Sequence, residues 1–179
     1  MGFSAVGANP IISDKASFDN CAAITLGDNV RIDDFCVLSA GAGGIRIGSF
    51  VHVGVCSSLT GGGEIRLSDF CGLSSRVTIY SSNEDYSGAA MTDPTVGPDF
   101  SNVTHADVFL CKHVMVGTGS VLLPGITLNE GAGVGALSLV TRDCEAFFIY
   151  AGTPARKIKE RKRDLLDVEK RFMARLKPQ

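Results

Sequence analysis

From Val116 to Val140 the chain reads VGTGSVLLPGITLNEGAGVGALSLV, with a large aliphatic side chain at every sixth position: Val116, Leu122, Leu128, Val134 and Val140. The same count runs through most of the chain: Val6, Ile12, Phe18 and Ile24; Leu26, Ile32 and Leu38; Ile47, Val53 and Leu59; Leu67, Leu73 and Ile79; then Leu110 onward. Four residues after each large side chain stands a small or compact one, as at Ala16, Ala22, Val30, Cys36, Val51, Ser57, Cys71, Val77, Val114, Ser120, Ala132 and Ser138. A helical face recurs at three and four residues and a half-buried strand alternates at two, so neither gives a period of six. A coil with three flat sides per turn does, the large residue filling the interior of each side and the small one tucked beside the corner. The count restarts after SAGAGG and TGGGE, which read as residues looped out at corners.

The period fails between Ile79 and Val108, where YSSNEDYSGAAMTDPTVGPDFSNVTHAD fits no repeat. A loop this long inside a compact domain is either functional or a solvated lid that packs on a neighbouring subunit, and function is the expectation here. Its content agrees: Asn83, Glu84, Asp85, Tyr86 and His105 bring an amide, carboxylates, a phenol and an imidazole to one excursion. Pro154 ends the repeat, after which Leu165, Val168, Phe172 and Leu176 follow with helical spacing. The expected organisation is an all-β three-sided coil over residues 1–157, an excursion loop over 80–107, and an amphipathic helix over 158–179.

Composition narrows the partners. A net charge of -2 with 45% apolar residues describes one well-buried domain and gives no electrostatic reason for nucleic acid binding. Twenty-one glycines and no tryptophan suit a turn-rich repeat better than a core built on large rings. The six cysteines never form a C-x-x-C pair, and no secretory leader or membrane-spanning apolar run accompanies them. A reducing cytoplasm is the expected location. Cys36 and Cys71 occupy the small interior slot and read as buried hydrophobes. Cys111 stands where a glycine commonly follows the large residue.

The stretch VMVGTGSVLLPGITLNEGAGVGALSLVTRDCEAFFIYAGTPARKIKER resembles the terminal coils of the hexapeptide-repeat acyltransferases, the left-handed parallel β-helix enzymes. The likeness covers roughly residues 6–160, and GALSLVTRD with YAGTPARKI is specific to that superfamily. The left hand comes from the resemblance alone; crossover rules favour the right. The resemblance implies acetyl-CoA as donor, no metal, a homotrimer, and a groove between adjacent prisms along the later coils. There Gly117, Thr118, Gly135 and Ala136 would keep a corner bare for the pantetheine arm, and Arg156 or Lys157 would meet phosphate. An N–H at this corner would suit the oxyanion of a tetrahedral intermediate.

In related galactoside, xenobiotic and polysaccharide acetyltransferases the excursion carries a histidine that takes the proton from the acceptor hydroxyl. This chain departs from that pattern, reading SSNEDYSG with Asn83 and Asp85 near the expected place. Asp85 could collect the proton, or His52 in SFVHVGV, by analogy with sugar N-acetyltransferases, or His105 before the prism resumes; His113 is a further candidate. An amino-sugar acceptor would need little base at all. The function implied is acetyl transfer to a sugar hydroxyl or amine, or to a nucleotide sugar, in surface-polysaccharide or lipopolysaccharide synthesis. Two alternatives share the fold: a scaffold without enzymatic chemistry, and a γ-carbonic-anhydrase-like metalloenzyme, for which the chain lacks the H-x4-H pair.

Overall fold

Stacking is what turns the sixfold period into a structure. In the computed structural model, which describes residues 2–92 and 94–176, short parallel strands from successive turns fall into three flat faces. On the first face Val6, Leu26, Ile47, Leu67, Leu110 and Leu128 stand in register. The second carries Ile12, Ile32, Val53, Leu73, Val116, Val134 and Tyr150. Phe18, Leu38, Leu59, Ile79, Leu122 and Val140 line the third. Every aliphatic in these columns from Leu26 onward is buried. The result is a three-sided β-solenoid of about seven turns, as the period predicts. Val6 remains 44% exposed and Ile12 and Phe18 are half-buried, because the first turn is covered on one side only.

The small slots close the corners. The Cys36 thiol donates to the Gly54 carbonyl at 3.2 Å, the Cys71 thiol to the Cys111 carbonyl at 3.1 Å, and the Ser57 hydroxyl to Ser74 at 3.1 Å. Burial pushes the Cys71 thiol up to about 12, so it stays a neutral packing group. Ala22 departs from the pattern: it lies exposed in a 3-10 turn at Cys21–Ala23, one of the corner insertions that force the count to restart.

After the cis Thr153–Pro154 bond the chain returns antiparallel, Ala155–Glu160 pairing with Phe148–Gly152. This pairing holds residues 158–160 as strand, so the helix, α1 (Leu165–Leu176), begins later than expected; 177–179 lie outside the described residues. The helix docks on the corner between the first and second faces. There Phe50, Phe70 and His113, all at left-handed φ near 60°, stack as a column with ring centroids 5.0 and 5.2 Å apart. Phe172 meets Phe50 edge-on at 5.2 Å, and Glu169 bonds Lys112 and, at 2.8 Å, His113 Nε2.

The Lys112 ammonium, with His113 adding to it against the cost of burial, holds the Glu169 carboxyl below its ordinary value. A lowered carboxylate contributes stability that is complete above its unfolded value and lost as pH falls through the folded one. Glu169→Gln is therefore expected to weaken helix docking by about 1 kcal/mol at neutral pH. Wild type should show the same loss only below about pH 4. Limited proteolysis of the C-terminal segment across pH checks this; equal cleavage of both proteins at neutral pH contradicts it.

Candidate active site

The excursion leaves and re-enters at the corner where the third face turns into the first. Its stem is a two-stranded antiparallel ribbon, Ser82–Asn83 against Thr104–His105. Gly62 in the preceding turn donates its N–H to Ser82 Oγ at 2.6 Å, and the same oxygen lies 2.7 Å from His105 Nδ1. The imidazole rests on Gly62, where a Cβ would come within 2.5 Å of Nδ1, so only glycine leaves room for it. Ser81 Oγ donates to the Gly63 carbonyl at 2.8 Å, and Asp107 Oδ1 accepts the Glu64 N–H at 2.7 Å. These bonds tie the stem to the prism, and the one from Ser82 engages Nδ1 of the exposed His105 ring.

Farther out, Thr104 Oγ1 donates to the carbonyl of Asn83 at 3.3 Å, leaving the Asn83 side chain exposed. Asp85 Oδ1 accepts the Ser87 N–H at 2.7 Å. Hydrogen bonds from the Ser87 side chain and then its backbone hold the Asp85 carboxyl below the usual carboxylate range, so it is ionised at neutral pH. Its other oxygen, Oδ2, is buried without a hydrogen-bond partner, as is Oε2 of neighbouring Glu84. A buried carboxylate oxygen left in this state is a ready acceptor for a cationic or N–H donor ligand.

The structure does not gather all four sequence candidates for the chemistry. Asn83, Asp85 and His105 belong to the excursion, but His52 points outward from the second face, across the prism from this corner. It is held there at 2.8 Å by Asp33, which also pairs with Arg31 at 2.7 Å. His113 is likewise committed to Glu169 beneath the helix. Ser82 and Gly62, which position His105, escaped the sequence reading, although SSNEDYSG contains the serine.

The donor-corner residues do come together, at the turn from second to third face. The Gly117 Cα faces the next turn so closely that a Cβ would lie 2.5 Å from Ala136 N, and Leu137 N–H donates to Thr118 O at 2.8 Å. Among the described residues the N–H groups of Thr118 and Ala136 have no partner. Gly135 abuts Ala151, whose register partner is Arg156. Lys157 is occupied otherwise: its ammonium bonds Glu145 at 2.7 Å and sits 3.5 Å over the Phe148 ring. Below this corner runs a groove of about 220 Å³ lined by Met115, Gly133, Gly135, Ile149 and Arg161.

A three-sided parallel solenoid with a bare late corner and one polar excursion is the architecture of the hexapeptide-repeat transferases. No protein-family model matches the chain. The dTDP-4-amino-4,6-dideoxy-D-glucose acyltransferase of Escherichia coli is 53% identical over 172 residues, 96% of this chain and 90% of that one. Among solved structures, AntD, an N-acyltransferase from Bacillus cereus in complex with dTDP and 3-hydroxybutyryl-CoA, superimposes with a TM-score of 0.93. It is 41% identical, over 98% of this chain and 92% of that one. A variant of AntD in complex with dTDP-4-amino-4,6-dideoxyglucose and coenzyme A matches equally, at a TM-score of 0.93, 41% identity and 98% and 93% coverage. The chain belongs to the family of the dTDP-4-amino-4,6-dideoxyglucose acyltransferases. It is an acyltransferase. No helix among the described residues is long and apolar enough to cross a membrane, and no group of three metal-binding side chains is found among them.

Proposed function

We propose that the protein transfers an acyl group, acetyl in the first instance, from coenzyme A to the 4-amino group of a dTDP-linked 4-amino-4,6-dideoxyglucose. The observation that carries this reading is the near-full-length likeness to an enzyme named for that sugar and to AntD, with the excursion loop inside the matched span. An amine acceptor also accounts for the loop's departure from the hydroxyl-specific pattern. The ionised Asp85, with its unpartnered Oδ2, suits an ammonium, and a sugar hydroxyl would not need it.

In this reading Asp85 receives the protonated amine, and His105, oriented by Ser82, takes the proton that blocks the nitrogen lone pair. The free nitrogen attacks the thioester carbonyl, a C–N bond forms, and the oxyanion is met by the unpartnered N–H groups of Thr118 or Ala136. The C–S bond then breaks, coenzyme A leaves as thiolate, and a proton from the nitrogen ends on the sulfur. Excursion and donor corner lie at different corners of one prism. A homotrimer, in which one prism's excursion faces a neighbour's donor corner, joins them. The acylated sugar would serve surface-polysaccharide or lipopolysaccharide assembly, with the enzyme in the cytoplasm.

Incubating the protein with acetyl-CoA or 3-hydroxybutyryl-CoA and dTDP-4-amino-4,6-dideoxyglucose tests this, read as free thiol and as product mass. Thiol release with an amide-bearing product is expected. Release with maltose but none with the amino sugar would overturn the acceptor assignment.

A further inference from the structure

The C-terminal segment carries a charge that the rest of the chain does not. Residues 156–179 hold ten Lys and Arg against four Asp and Glu, a net +6, whereas residues 1–155 hold seven against fifteen, a net -8. Within α1 the acidic groups are already engaged: Asp167 accepts from Lys170 at 2.9 Å, and Glu169 from Lys112 and His113. Arg171 and Arg175, one helical turn apart and exposed, make no hydrogen bond or ion pair among the described residues.

The same helix leaves its apolar side half covered. No residue of α1 is buried; Val168 is 51% exposed and Phe172 39%. Between the helix and the Phe50–Phe70 column lies a groove of about 360 Å³, with Leu165, Val168 and Phe172 as its other wall. Its two polar lining groups, His113 and Glu169, are bonded to each other at 2.8 Å, and every other wall is apolar. A second hollow of about 310 Å³ shares Val168 and Phe172 with the first, and its remaining walls are Arg171 and Arg175. A path therefore runs from two unpaired guanidinium groups to an aromatic floor.

That combination selects a ligand. A small anion would meet the arginines and leave the groove open, and an uncharged oil would fill the groove and leave the arginines unmatched. A planar base finds little to stack on, because Phe50, Phe70 and His113 already stack on one another and Phe172 stands edge-on to the column. An anionic lipid satisfies both ends, with its phosphate on the guanidinium pair and its chain passing Phe172 toward Phe50 and Phe70. The cations flank the apolar strip instead of covering it, the arrangement by which amphipathic helices lie in the headgroup region of a bilayer.

We propose that α1 and the Phe50–Phe70 corner form a binding site for an anionic phospholipid, through which the protein contacts a bilayer surface. The site stands apart from acyl transfer: α1 docks between the first and second faces, whereas Thr118 and Ala136 lie at the turn from second to third.

Sedimentation of the full-length protein with lipid vesicles tests this. Vesicles of phosphatidylglycerol and phosphatidylcholine in equal parts are expected to bind it, and phosphatidylcholine alone to bind it about tenfold more weakly. Arg171→Ala combined with Arg175→Ala should lower binding to the anionic vesicles about thirtyfold. Both side chains are exposed, so the thermal melt of that variant should match wild type. The chain has no tryptophan, so Val168→Trp supplies a single reporter whose emission should be quenched by lipids brominated on the acyl chain. Equal binding to the two vesicle types, or binding to neither, would overturn the proposal. Vesicle-bound Val168→Trp protein without quenching would do the same, since the contact would then be one of charge alone. Weaker coenzyme A binding by the double arginine variant, measured without vesicles, would assign these arginines to the donor and also overturn it.

Discussion

His105→Ala is expected to lower kcat/KM for the amine acceptor by about two orders of magnitude near neutral pH while leaving the KM for acyl-CoA unchanged. The imidazole is anchored rather than merely present: Ser82 Oγ sits 2.7 Å from Nδ1, and Gly62 both supplies the floor and donates to that same oxygen. With Nδ1 engaged by Ser82, the other nitrogen of this exposed ring is left open to a substrate, as a proton acceptor in a transition state requires. The deficit has a pH signature. As pH rises and the acceptor amine loses its proton to solvent, there is less for His105 to remove, and the gap between variant and wild type should narrow. Ser82→Ala, which leaves the ring but removes its hold, should fall between the two. Equal kcat/KM for His105→Ala and wild type across the pH range would remove the histidine from the reaction and leave Asp85 as the group that manages the amine.

The second large effect concerns stability. Leu59→Ala is expected to destabilise the protein by about 3 kcal/mol, because the side chain is fully buried between Leu38 and Ile79 in the third-face column. A narrow prism has little freedom to collapse around the vacancy, since backbone ladders above and below set the spacing of each turn. Val6→Ala, the same kind of truncation at the 44% exposed end, should cost under about 1 kcal/mol. Denaturant unfolding at fixed protein concentration measures both. Similar losses at the two positions would mean that the solenoid unfolds from a frayed end without engaging its middle turns.

The scaffold was legible in the chain because its rule is local. Each side of each turn must bury one large residue, and a turn contacts mainly the turns before and after it, so the constraint recurs at a fixed interval. Ile32, Leu38, Val53 and Leu59 announce their faces by spacing alone. Spacing was less informative where the chain left the prism: Ala22 kept the count yet lies exposed at a corner, and residues 158–160 became a strand because Phe148–Gly152 offered backbone partners.

At the candidate site, the excursion was readable as a failure of the period, and the bare corner at Gly117 and Gly135 as a pair of small residues whose part in donor binding belongs to the proposal. Choosing among the histidines was not. His52 and His105 are each a lone imidazole in sequence, and nothing in SFVHVGV or NVTHAD tells one from the other. The difference arises because Ser82, 20 residues after Gly62, and His105, 23 residues after Ser82, are stacked at one corner. The sequence by itself determined the repeating interior, the place of the interruption and the class of reaction. Only the tertiary structure decided which outward side chains share a site, because the outer surface obeys no period and its neighbours depend on how turns of unequal length come into register.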